Sequence, residues 1–424
     1  MTRFSSTFRK DGDCEAVHTQ KTRQVFLQPE PNIWMVLTVS IGWVSRMRES
    51  GPVREYQSEG VQDVVLRACL SALYRSLALR HHSFAQLHTS KGIPGLKDTL
   101  DNFLTSYMSS VELGVGDILA VWSGVSFLPL DRQTFLRIHC CLSLLQATFP
   151  AITHTAFFYN HHVVWCGMAM EDLRSLSQYL TTQLLPASRH HTTTNAHHHH
   201  HQQPASSSSS TSPTSYLSRF MGSAGVTPSL RVHVTDNKGE QKPHHLLLYS
   251  LAGITVCITF DESETLTPNL YEKIDRLLEP KISQLASDIG EQASRKAGSG
   301  GGGGGAAEGG GGGGGGGGGS SSGTFRYVYH NHMNLATKST VHAPHQPLPA
   351  EVMRTIADMH CDMKKCRSGE LVVKTAQDHW VVGRCGDGRE FYVVLNHKNA
   401  NLVEVTDEVS RMCASHFSNI FMIE

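Results

Sequence analysis

Two stretches of this chain cannot bury enough apolar surface to fold, and every other segment has to be arranged around them. Residues 192–215 read TTTNAHHHHHQQPASSSSSTSPTS, and residues 298–323 are almost pure glycine. Neither offers side chains whose burial would offset the entropy of ordering the backbone, so both are expected to be mobile. The glycine tract reads as a linker between folded units. The His-Ser tract reads as an insertion within a unit, because strand-like sequence flanks it on both sides. The 424 residues therefore divide into three expected modules. These are residues 1–147, residues 148–293 with an insertion at 187–222, and residues 324–424 after a linker at 294–323.

Each module mixes strands and helices, which makes the expected fold class α+β. In the first, NIWMVLTV at 32–39 reads as a strand paired with 23–28. Helices are expected at 61–79, 96–111 and 131–146, the last capped by Asp131 after Pro129. The second module opens with a hairpin around Asn160 and a helix at 171–184. It continues with a strand at 230–234, a hairpin turning at Leu251-Ala252-Gly253, and a helix at 269–289. The third carries a helix at 349–364, a hairpin closed by Asp387-Gly388, a strand at 402–405 and a helix at 408–417. A short echo, FFYNH at 157–161 against YVYHNH at 327–332, suggests that one small unit is repeated.

Composition excludes several function classes. Lysine plus arginine equals aspartate plus glutamate, so no global positive field points to nucleic acid. The ten cysteines follow no framework spacing, the first thirty residues lack the apolar core of a signal peptide, and no segment reaches the ~20 apolar residues of a membrane helix. A cytosolic compartment with free thiols is expected.

No constellation of residues reads as catalytic. The glycine tract matches dinucleotide-binding patterns trivially but has no strand before it and no helix after it. His197–His201 lacks the fixed geometry of a metal site. His360, Cys361, Cys366 and Cys385 lack the two close pairs of structural zinc. His139 and Cys140 are adjacent on a helix and cannot face one another. No metal, cofactor or catalytic residue is expected, and the chain reads as a non-enzyme. Basic and aromatic residues near the start, His18, Lys21, Arg23, Phe26 and Trp34, fall on two expected strands beside the first helix; on composition alone a solvated sheet face is favoured over a binding surface.

Six segments, NIWMVLTV, VSFLPLDRQTFLRI, TAFFYNHHVVWCG, LASDIGEQ, HNHMNLATKSTVH and HKNANLVEVTDEV, occur in this order along the chain. Together they resemble the vacuolar fusion protein of the calcium-caffeine-zinc sensitivity (Ccz) family. The resemblance implies three longin domains, each a mostly antiparallel sheet flanked by helices. It implies a Mon-family longin partner in a heterodimer that exchanges guanine nucleotide on a late-endosomal GTPase of the Rab-seven type. It further implies a possible third regulatory subunit and peripheral recruitment to late-endosomal or lysosomal membranes bearing phosphoinositide. His18, Lys21, Arg23, Phe26, Trp34 and Val36 match the family's partner- or GTPase-facing stretch. Family members carry two strands and a helix before this stretch, so the first longin domain is expected to be incomplete at its start, with Phe4–Phe8 as the end of that helix.

Overall fold

The computed structural model describes residues 14–48, 51–110, 118–185, 216–221, 229–236, 239–299, 325–341, 348–366 and 368–416. The two low-complexity tracts and Phe4–Phe8 lie outside these, apart from the helical residues 298–299. The chain forms two compact units, Met1–Gly116 with Val125–Ala293, and Asp117–Gly124 with Ser294–Glu424.

The first unit begins with a three-stranded antiparallel sheet in the order β1 (Ala16–His18), β2 (Thr22–Glu30), β3 (Ile33–Ser40). A separate ribbon follows, β4 (Trp43–Arg48) with β5 (Gly51–Tyr56). Then come α1 (Asp63–His81) and α2 (Phe84–Ser110). The second of these starts well before the expected residue 96 and is broken at Gly92, whose φ of 67° favours glycine. Its N-terminal amides find a carboxylate from the sheet. Glu30 accepts from Phe84 N at 2.6 Å and from Ala85 N at 3.0 Å, and Tyr74 Oη donates to the same group at 2.7 Å. This arrangement satisfies two of the donors that every helix leaves open at its start.

A larger sheet fills the rest of the unit. Its elements are α3 (Arg132–Thr148), β6 (Ile152–Tyr159), β7 (His162–Cys166), α4 (Met170–Tyr179), β8 (Phe220–Met221), β9 (Leu230–Thr235), β10 (Gln241–Leu251), β11 (Ile254–Asp261) and α5 (Pro268–Ser299). Strand order is β7-β6-β11-β10-β8, with β9 also on β10. Tyr271, Ile274, Leu278, Ile282, Leu285 and Ile289 recur every three or four residues along α5 and are all buried. They meet Ile138, Leu142 and Leu145 of α3 over the sheet. At roughly 1.5–3 kcal/mol for each large aliphatic side chain buried, this one stripe outweighs any polar contact in the unit. α3 thus contributes to the second module's core, although the sequence reading ends the first module after it. α5 runs ten residues past its expected end at 289, through good helix formers (EQASRKA), and enters the stretch read as linker.

The second unit holds β12 (Arg326–Asn331), β13 (Thr337–Ser339), α6 (Ala350–Met363), β14 (Gly369–Lys374), β15 (His379–Gly386), β16 (Arg389–Asn396) and α7 (Leu402–His416). The order β13-β12-β16-β15-β14 repeats that of the larger sheet, strand for strand, as the FFYNH echo suggested. Asp387 and Gly388 close the β15–β16 hairpin with φ of 50° and 68°, the geometry an Asp-Gly turn supplies. One expectation is overturned: residues 402–405 are the first turn of α7, not a strand. The cause is a capping box. Asn401 Oδ1 accepts from Glu404 N, and Glu404 Oε2 accepts from Asn401 N, both at 3.0 Å. Apolar Leu402-Val403 imitates a strand; the polar pair around it sets the helix.

Candidate interaction site

The first sheet has two unlike faces. Val25 pairs with Leu37 and Leu27 with Met35, and these pack with Leu66 and Leu70, so that face carries α1. Phe26 pairs with Val36, and Trp34 stands two residues along the same strand, so these three share the opposite face. Phe26 is buried, Trp34 half-buried and Val36 53% exposed.

His18 and Arg23 point the other way. They pair across β1 and β2 and meet Asp63, the first residue of α1. Asp63 Oδ2 takes His18 Nε2 at 2.6 Å, leaving Nδ1 to accept from Arg23 Nη1 at 2.8 Å. Arg23 Nη1 also lies 3.5 Å from Asp63 Oδ1, and Nη2 donates to Ser58 O at 3.1 Å. The cluster seats a carboxylate in the first turn of α1, where the helix dipole favours it. Lys21 sits exposed in the β1–β2 turn, its carbonyl accepting from Ile41 N at 2.8 Å. The six candidates are therefore three groups: a bonded pair on the helix side, one solvated lysine, and an aromatic-aliphatic trio on the opposite face.

Sequence reasoning missed the β4–β5 ribbon. Among the described strands it pairs only with itself, and it exposes Trp43, Val44, Met47 (80%) and Val53. Arg54 covers the Trp43 ring at 4.4 Å, a cation–π contact, and Arg46 pairs with Glu55 at 2.6 Å. A two-stranded ribbon is marginal in water by itself, and apolar side chains displayed on one suit contact with another surface. The available signal was Gly51-Pro52 between two runs of alternating apolar and charged residues.

The second module contains a groove of about 610 Å³ lined by Leu136, Cys140, Leu144 and Leu285 with Arg132 and Lys281. His139 lies edge-on to Trp165 at 5.8 Å, and burial pushes the Cys141 thiol pKa up, away from a reactive thiolate. Among the described residues no group of three or more His, Cys, Asp or Glu could hold a metal ion. His360, weighed above with the nearby cysteines, is instead bonded to Glu390.

The repeated sheet order and the flanking helices define a protein of longin-like modules. Residues 1–82 match the family described as the first longin domain of INTU, CCZ1 and HPS4. Residues 152–279 match Intu longin-like domain 2, and residues 321–412 match Intu longin-like domain 3. Over its whole length the chain is 34% identical to the vacuolar fusion protein CCZ1 homolog of Nematostella vectensis, spanning 88% of that protein. It is 32% identical, again over its whole length, to the proteins of the same name from Xenopus laevis and Danio rerio, spanning 88% and 87% of them. The chain belongs to the CCZ1 vacuolar fusion protein family.

Proposed function

We propose that this chain acts in the fusion of endosomes with the vacuole or lysosome, as one subunit of a guanine-nucleotide exchange factor for a Rab-seven type GTPase. A Mon-family longin protein is its partner in this reading. No covalent bond is made or broken. The complex binds the nucleotide-free GTPase more tightly than the loaded one, so differential affinity drives release. A third regulatory subunit, and peripheral recruitment to phosphoinositide-bearing late-endosomal membrane, complete the proposal. No helix among the described residues is long and apolar enough to cross a membrane.

The observation that carries the reading, beside family membership, is the exposed Val36 next to Trp34 on a sheet face turned away from α1. Val36 in the open beside half-buried Trp34, on a sheet face that also carries the Gln24–Thr38 pair, suits contact with another protein better than it suits a small substrate. The test is release of fluorescent GDP from the GTPase, with chain and Mon-family partner supplied together. Combined Trp34→Ala and Val36→Asp is expected to slow release at least ~10-fold, the scale of losing a central aromatic contact. If the unaltered pair does not accelerate release over the GTPase alone, a non-exchanging longin adaptor or tether replaces this proposal.

A further inference from the structure

The compact unit containing the third module is built from two stretches of chain that lie far apart in sequence, and the shorter one is fastened by a tryptophan. Residues 118–121 form a single 3₁₀ turn packed on α6, and Trp122, the next residue, is 4% exposed. Its indole lies 5.0 Å from the His360 ring of α6 and 5.5 Å from the Tyr392 ring of β16. Its Nε1 donates to Glu390 Oε2 at 2.8 Å.

Glu390 is 3% exposed in the central strand of its sheet. Three further donors converge on it. His360 Nδ1 and Tyr392 Oη reach Oε2 at 2.7 and 2.9 Å, and His332 Nε2 reaches Oε1 at 2.7 Å. A buried carboxylate is costly unless its oxygens are met by donors, and here Trp122 supplies one of them from outside residues 294–424. A second, independent fit lies two residues on. At Gly124 an added Cβ would stand 1.6 Å from Thr337 Oγ1, 2.6 Å from Thr337 Cβ and 3.0 Å from Leu335 O. Only glycine lets this backbone approach β13 so closely.

We infer that residues 118–124 are an intramolecular ligand of the third module: Trp122 and Gly124 hold residues 324–424 to the preceding chain without need of the peptide link through the glycine tract. The recognised element is a short helical turn ending in tryptophan. The receiving surface is His360, Glu390 and Tyr392 together with Thr337.

The test places a specific protease site within residues 305–318 of the full-length chain and follows the cut protein by gel filtration. The C-terminal fragment is expected to co-elute with the rest. After Trp122→Ala it is expected to separate, its dissociation constant raised by more than ~30-fold, the scale of removing a buried aromatic anchor. Gly124→Val, which leaves the tryptophan in place, is expected to release it as well. Trp122→Phe keeps the ring but strips one donor from Glu390, and is expected to weaken retention by roughly 10-fold. Separation of the cut, otherwise unaltered chain overturns the inference without recourse to any variant. So does retention in both the Trp122→Ala and Gly124→Val proteins.

Discussion

The first and third modules each surround a carboxylate with imidazole and further donors, yet the two clusters behave as different devices. Asp63 shares His18 and Arg23 at a surface where side chains remain partly wet. Glu390 takes His332, His360, Trp122 and Tyr392 with almost no water access. Water decides the difference. An exposed ion pair loses about as much solvation and side-chain entropy as it gains, whereas a buried carboxylate ties down every donor around it. Burial alone would raise the Glu390 pKa. Hydrogen bonds from His332 and His360 and the His360 charge outweigh it and hold the carboxyl well below its usual range. The same burial, with the Glu390 charge, drives the Tyr392 hydroxyl up. The first module thus keeps an adaptable surface beside its candidate contact face, and the third is locked.

Glu390→Ala is the hardest blow to this contrast. It strands three buried donors, Trp122, His360 and Tyr392, and is expected to cost the third module roughly 3–5 kcal/mol. Hydrogen exchange on β12, β15 and β16 should accelerate while β6 and β11 stay protected; uniform exchange across both would erase the distinction. Acid comes next. A depressed folded-state pKa contributes stability that is fully present above the unfolded glutamate value of ~4.3 and is lost as pH falls from there toward the depressed value. The urea midpoint of the third module should therefore fall between pH 5 and strongly acidic pH (on the scale of that ~4.3), and Glu390→Gln should flatten the slope. Arg23→Ala should cost no more than ~1 kcal/mol, since its partners His18 and Asp63 stay in contact with water although its own side chain is largely covered. A larger loss would show that the surface cluster holds its donors as firmly as the buried one does. Smallest of all, Met47→Asp on the ribbon should move stability by less than ~0.5 kcal/mol and still weaken binding to the Mon-family partner in a pull-down titration. Unchanged binding would remove the ribbon from the candidate surface.

Much of the architecture was legible because local chemistry and tertiary demand agree. Asp131 caps α3 as read, its Oδ1 accepting from Thr134 N at 2.9 Å. The turns at Ala252-Gly253 and Asp387-Gly388 close the hairpins their residues announce. Legibility failed where long-range packing decides. Nothing local says that α3 packs over the second sheet. Of the site residues, Trp34 and Val36 were readable from strand periodicity, but that Arg23 would reach a helix start forty residues on was not. Glu390 left a faint mark, an acid at an inward position of the otherwise apolar EFYVVL. That pattern shows that a polar partner is needed; it cannot show that the partner is Trp122.

The Trp122 contact also orders events in time. Its ring is synthesised long before the strand that covers it, so during translation this large apolar side chain has no native place to go. Completion of β16 lets the indole leave water, and the last strands then close over a residue from the first third of the protein. Such a late, long-range contact slows folding and leaves a hydrophobic group available to chaperones in the meantime.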